Sequence, residues 1–112
     1  MTLVHGIDII EIDRIRKVAN QYGNRFYNRI YSKFEIDYCK GNPSKLATRF
    51  AAKEAVMKAL GTGVRGVSWK EIEIARQPGK APQVRLHGRA KKRAMALGID
   101  QMAISLSHSD NF

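Results

Sequence analysis

An aspartate stands inside an apolar, β-branched run near the start of the chain, Asp8 in Val4-His5-Gly6-Ile7-Asp8-Ile9-Ile10-Glu11-Ile12. An ionised carboxylate in such a segment is costly unless a cation or hydrogen-bond donors compensate it. Two readings are open: a carboxylate near a strand end that accepts backbone N–H groups, or a ligand to a cation. Glu11, three positions on, points to the opposite face of a continuing strand. It reads as a favourable charge at the start of the next helix rather than a second ligand.

A second carboxylate lies in a long helical stretch, Lys45-Leu46-Ala47-Thr48-Arg49-Phe50-Ala51-Ala52-Lys53-Glu54-Ala55-Val56-Met57-Lys58-Ala59-Leu60. At about 100° per residue, Ala47, Phe50, Ala51, Glu54 and Lys58 share a broad face. Glu54 and Lys58 could be a surface i,i+4 pair, worth about 0.2–0.5 kcal/mol. The alanines beside them leave room for a ligand, however, and Arg49 and Lys53 add cations on the flank of the same helix. Two carboxylates with several cations suit Mg²⁺ and phosphates. Mg²⁺ takes one or two carboxylates, substrate oxygens and water, and basic side chains neutralise the remaining phosphate oxygens.

Other motifs are weaker. No GxxxxGK[ST] run and no GxGxxG after a strand occurs. Gly61-Thr62-Gly63 is what commonly ends a helix, although it also permits a ligand to approach the backbone. In Ser105-Leu106-Ser107-His108-Ser109, neighbouring strand side chains point apart and no GxSxG surrounds them. His108 therefore reads as a polar group near a site, and His5 and His87 as structural.

The elements that must position these residues follow from periodicity and punctuation. Residues 3–10 read as a buried strand. Ile12, Ile15, Val18/Ala19 and Tyr22 recur at helical spacing up to Gly23, and a second helix covers about 25–31. Ser32 with Glu35 forms a capping box for a helix to about Lys40. Gly41-Asn42-Pro43 breaks the chain, and Ser44 caps the long helix to Leu60. Strands are expected over about 69–76, 82–87 and 102–107, with Gly79-Lys80-Ala81-Pro82 turning between the first two. A helix over about 89–97, stopped by Gly98, precedes the last. A strand, a run of helices, two strands, a helix and a final strand imply an α+β domain, a small antiparallel sheet packed with helices.

At 112 residues the chain is expected to form a single domain, residues 1–112. So short a chain has little room for a deep cleft, which favours a site shared between subunits. Twenty Lys+Arg against ten Asp+Glu give a net charge of +10. Such a field attracts nucleic acid, phosphate-rich small molecules or acidic proteins alike. One cysteine, Cys39, rules out an intramolecular disulfide and reads as a small buried residue. No leader peptide and no membrane-length apolar run are visible, so the expectation is a soluble cytoplasmic protein without a membrane partner.

Several runs together resemble the bacterial holo-[acyl-carrier-protein] synthases: GIDIIEI at 6–12, RFAAKEAVMKAL at 49–60 followed by GTG, WKEIEI at 69–74, a turn ending in Pro82, VRLHGRA at 84–90 and SLSHS at 105–109. The resemblance spans essentially the whole chain. It implies a phosphopantetheinyl transferase-like fold and transfer of 4′-phosphopantetheine from coenzyme A to a serine of apo acyl carrier protein, releasing adenosine 3′,5′-bisphosphate. It further implies Asp8 and Glu54 as Mg²⁺ ligands, with Arg49, Phe50, Lys58 and Gly61 lining the coenzyme A site. Pro82 and His108 match positions at the edge of, or contributed by, a neighbouring subunit of a homotrimer. Arg14 matches a position facing the acidic carrier. The general base is Glu54 or a Mg²⁺-bound water. The turn reads GKAP where many relatives have GKP. Relatives also continue into a further strand beyond the SHS motif, so a shortened C-terminus is expected, with a weakened trimer as its consequence.

A basic nucleic-acid-binding module is the rival from another class. It needs exposed aromatics interleaved with charge, whereas Phe26, Phe34, Phe50 and Trp69 occupy positions expected to be at least partly buried. A second rival is a family member that binds the carrier without catalysis.

Overall fold

The structure, a computed structural model, describes residues 2–76, 79 and 82–99, with residues 2–10 and 64 described as backbone alone. The elements run α1 (Thr2–Tyr22), α2 (Asn24–Ile30), α3 (Lys33–Cys39), α4 (Pro43–Leu60), the single turn α5 (Gly63–Gly66), a 3₁₀ turn (Trp69–Glu71), β1 (Ile72–Ala75), β2 (Gln83–Leu86) and α6 (Gly88–Ala96). β1 and β2 are antiparallel, with Ile72 opposite Leu86 and Ala75 opposite Gln83. The α+β class is as expected, with helices in the majority. The expected strand at 102–107 lies outside the described residues.

The expected N-terminal strand over 3–10 is instead the first half of α1. A short β-branched run is compatible with either state, and periodicity alone does not separate them. A strand needs a partner edge, whereas a helix satisfies its backbone locally. Among the described residues, β1 and β2 pair only with each other.

Punctuation elsewhere behaves as the residue types dictate. Gly23 ends α1 at φ +57°. Ser32 and Glu35 form both halves of the capping box of α3. The cap of α4 is Asn42 rather than Ser44: its side chain accepts from Lys45 N at 3.1 Å, and Pro43, with no N–H to lose, takes the first helical position. The expected strand over 69–76 begins only at Ile72, because Ser68 and Glu71 cap a 3₁₀ turn first.

Two apolar clusters form along α4. Leu46 and Ala47 pack with Ile15, Ile30, Tyr31 and Cys39. Ala52, Val56, Met57 and Leu60 pack with Val67, Ile72, Ile74, Ala90 and Ala94. Trp69 lies against both.

Between them sits a buried ion pair, Lys53 Nζ to Glu35 Oε1 at 2.8 Å, both side chains fully buried. Lys53 also donates to Trp69 O at 3.0 Å and to Ile72 O. Glu35 Oε2 accepts from Ile74 N at 2.8 Å, and Oε1 from Ser32 N at 2.8 Å. Desolvation lowers the Lys53 pKa, and the Glu35 carboxylate opposes that shift. Lys53 is thus a structural cation, not the flanking ligand cation suggested by its place beside Glu54.

Breaking a buried pair strands a charge, at a cost of about 3–5 kcal/mol. Lys53→Met is therefore expected to lower unfolding stability by about that amount in denaturant titration. Adding Glu35→Gln to Lys53→Met is expected to return part of it. A loss below about 1 kcal/mol for Lys53→Met contradicts this account.

Candidate active site

The C-terminal half of α4 carries the site. Glu54 and Lys58 project from its exposed side, and the helix ends at Gly61, a left-handed cap at φ +69° whose N–H bonds Lys58 O at 3.1 Å. A glycine fits that backbone conformation without strain. Glu54, Met57, Lys58, Gly61, Gly63 and Trp69 line a recess of about 260 Å³. Thr62, between the two glycines, buries its hydroxyl with no hydrogen-bond partner among the described residues.

Trp69 forms one wall. Its ring stacks on Phe50 with centroids 4.8 Å apart and planes at 19°. The Arg14 guanidinium lies 5.7 Å from the Phe50 centroid and donates to Glu11 Oε1 at 2.6 Å. α1 therefore brings a cation and a carboxylate to the edge of α4.

Burial first, then the Glu11 carboxylate, push the Glu54 carboxyl above its ordinary value, while Arg14 and Lys58 pull the other way. A carboxylate whose ionised form is disfavoured in this way is one that a nearby cation would stabilise. Among the described residues no three His, Cys, Asp or Glu side chains gather as a metal cluster, so Glu54 suits only a cation such as Mg²⁺ that takes one or two carboxylates with substrate oxygens and water.

The residues singled out in the sequence are distributed unevenly. Glu54, Lys58 and Gly61 meet in the recess, with Phe50 and Arg14 behind its Trp69 wall. Arg49 does not line it. Five positions before Glu54, it lies about 140° around the helix, buried with its guanidinium 4.8 Å from the Tyr38 centroid. Its Nη1 donates to Lys45 O at 3.5 Å, and its buried Nε has no partner among the described residues. Pro82 stands just before β2 and is not among the lining residues. Asp8 falls on the α1 backbone one turn before Glu11, with its side chain outside the description, and His108 lies outside the described residues.

Sequence reasoning missed Glu11 and Trp69. On a continuing strand Glu11 faces away from Asp8, whereas a helix places i and i+3 on one side. Trp69 opens the family-like run WKEIEI at 69–74, but nothing in its type or spacing marks it as the wall of a site.

The fold thus presents a carboxylate and an ammonium beside a small, glycine-rimmed recess, a combination that suits a phosphate-bearing ligand. Residues 5–108 match the family described as the 4′-phosphopantetheinyl transferase superfamily. Similar proteins include the holo-[acyl-carrier-protein] synthases of Koribacter versatilis, 44% identical over 100% of this chain and 93% of that one, and of Herpetosiphon aurantiacus, 46% identical over 96% and 90%. A crystal structure of the Helicobacter pylori holo-[acyl-carrier-protein] synthase in complex with coenzyme A superposes with TM-score 0.70 at 34% identity, over 80% of this chain and 76% of that one. The Plasmodium yoelii acyl carrier protein synthase with ADP bound gives TM-score 0.67 at 33% identity, over 80% and 72%.

This chain belongs to the 4′-phosphopantetheinyl transferase superfamily, and its chemistry is the transfer of that group.

A raised carboxyl pKa means that folding disfavours the ionised form. Glu54 thus subtracts stability as pH rises from its unfolded value through its raised folded value, and the loss is complete above that. Glu54→Gln should be at least as stable as the parent at pH 7, with the difference vanishing below pH about 4.3. Thermal melts across pH check this. A marked drop in melting temperature at pH 7 for Glu54→Gln would assign the residue to the fold instead of the site.

Proposed function

We propose that the chain transfers 4′-phosphopantetheine from coenzyme A to a serine of apo acyl carrier protein in a Mg²⁺-dependent reaction, as a cytoplasmic homotrimer serving fatty acid biosynthesis. The observation that carries this reading is the convergence of Glu54, Lys58 and Gly61 on one recess, residues that the family motifs also contain. The neighbour holding coenzyme A and the one holding ADP support a ligand with an adenosine diphosphate portion. The net charge of +10 suits an acidic carrier. Among the described residues, no helix is long and apolar enough to cross a membrane.

In this reading the carrier serine Oγ attacks the phosphorus that bears the pantetheine arm. A phosphorus–oxygen bond forms to the serine as the one to the departing adenosine 3′,5′-bisphosphate breaks, and the leaving oxygen keeps the electron pair. Lys58 faces the recess and neutralises pyrophosphate oxygens as charge moves onto the leaving group. Glu54 is one candidate acceptor for the serine proton. Phe50 and Trp69 exclude water from one wall, and Gly61 and Gly63 admit the ligand close to the backbone. Asp8 and Glu54 would hold Mg²⁺, which supplies positive charge at the pyrophosphate. Arg14 faces the carrier, and Pro82 and His108 complete the coenzyme A site in the assembled trimer.

Incubation with coenzyme A, Mg²⁺ and apo carrier should add one phosphopantetheine to the carrier mass. Asp8→Ala and Glu54→Ala should each lose at least about a hundredfold in rate, comparable with removal of one strong charge-stabilising group. Chelation of Mg²⁺ should stop the parent. Near-parental transfer by either variant at modest Mg²⁺ sinks the metal assignment, and an unchanged carrier mass with the parent sinks the reaction.

A further inference from the structure

The recess sits where an anion should be unwelcome. It opens at the C-terminus of α4, where the aligned peptide dipoles place a partial negative charge of about half an electron, and Glu54 adds a carboxylate. Lys58 alone must offset both among the lining residues.

A second cation reaches this end of α4 from a different element. Arg93, on α6, donates from Nε to Leu60 O at 2.9 Å, so its guanidinium is fixed on the last residue of the helix. Its Nη2 lies 3.7 Å from where a Cβ on Gly61 would stand, and Gly61 lines the recess. Its side chain is exposed, and among the described residues it forms no ion pair with a carboxylate. A guanidinium carries five N–H donors in a rigid fork, and one is used here.

We infer that Arg93 is a substrate-binding cation, which cancels the negative end of α4 through Leu60 and presents its remaining N–H groups at the Gly61 rim to a phosphate of coenzyme A. Tethering by the helix end fixes the guanidinium before substrate arrives, so little side-chain entropy is lost on binding. The inference rests on the coenzyme A reading above.

The test measures transfer kinetics and calorimetric coenzyme A binding for the parent, Arg93→Ala and Arg93→Lys, with melting temperatures alongside. Arg93→Ala is expected to raise both KM and Kd for coenzyme A about ten- to a hundredfold, the range for one charged hydrogen bond. Its kcat should stay within about threefold, and KM for the carrier should not change. Arg93→Lys, which keeps the charge, should recover much of the affinity. Unchanged coenzyme A affinity in Arg93→Ala overturns the inference, even if the melting temperature falls, because that is the signature of a helix cap alone. A rise confined to the carrier KM also overturns it. A parent that binds coenzyme A but transfers nothing defeats the proposed reaction, while the binding ratio still decides Arg93.

Discussion

The Glu35–Lys53 ion pair organises this fold. Lys53 has three protons to place and no solvent exposure, and it places them on the Glu35 carboxylate, Trp69 O and Ile72 O. Glu35 returns the constraint through Ile74 N and Ser32 N. The backbone groups of Ile72 and Ile74 used here face away from β2. The ladder bond His87 N to Glu71 O sets that alternation, because it makes Glu71, Glu73 and Ala75 the residues bonded across the pair. The ion pair thus does for the outer edge of β1 what a neighbouring strand would do. In one stroke it ties α3, α4, the 3₁₀ turn and the sheet. None of its partners can be removed without leaving a buried group unpaired.

The site inherits its shape from this arrangement. With its backbone carbonyl held by Lys53, Trp69 stacks its ring on Phe50 and closes one wall of the recess. α6 is docked by a different carboxylate. Glu71 accepts from Ser68 N and from Arg89 N, each at 2.7 Å. Burial pushes its carboxyl up, but those bonds and the Arg89 charge outweigh that and hold it below the ordinary value. A side chain on Gly88 would run into the Glu71 carboxylate, and its φ of +53° also favours glycine. This contact seats α6 at the angle that brings Arg93 to the end of α4.

Much of this was legible in the sequence where local chemistry decides the outcome. The stops at Gly23 and Gly61, the Ser32–Glu35 capping box and the exposed Glu54–Lys58 edge follow from residue type and spacing. Cys39 is buried as expected, and Phe26, Phe34, Phe50 and Trp69 are half-buried. What could not be read depends on tertiary context. Residues 3–10 carry a pattern that suits strand or helix, and the choice moved Glu11 from the far side of a strand to the neighbourhood of Glu54. Lys53 and Lys58 look alike in sequence, yet one is sealed in the core by a carboxylate 18 positions earlier and the other faces the recess. Arg49 shares the family motif with Glu54, but helical rotation carries it to Tyr38.

In the proposed reading coenzyme A occupies the recess walled by Trp69, which is the sole tryptophan of the chain and so an intrinsic reporter for it. The most direct measurement is a fluorescence titration of the full chain with coenzyme A in the presence of Mg²⁺. A saturable change in Trp69 emission, with a midpoint that matches KM for coenzyme A in the transfer assay and that weakens in Lys58→Ala, is the predicted result. Saturating turnover with no change in Trp69 emission would contradict it and put the substrate elsewhere on the molecule.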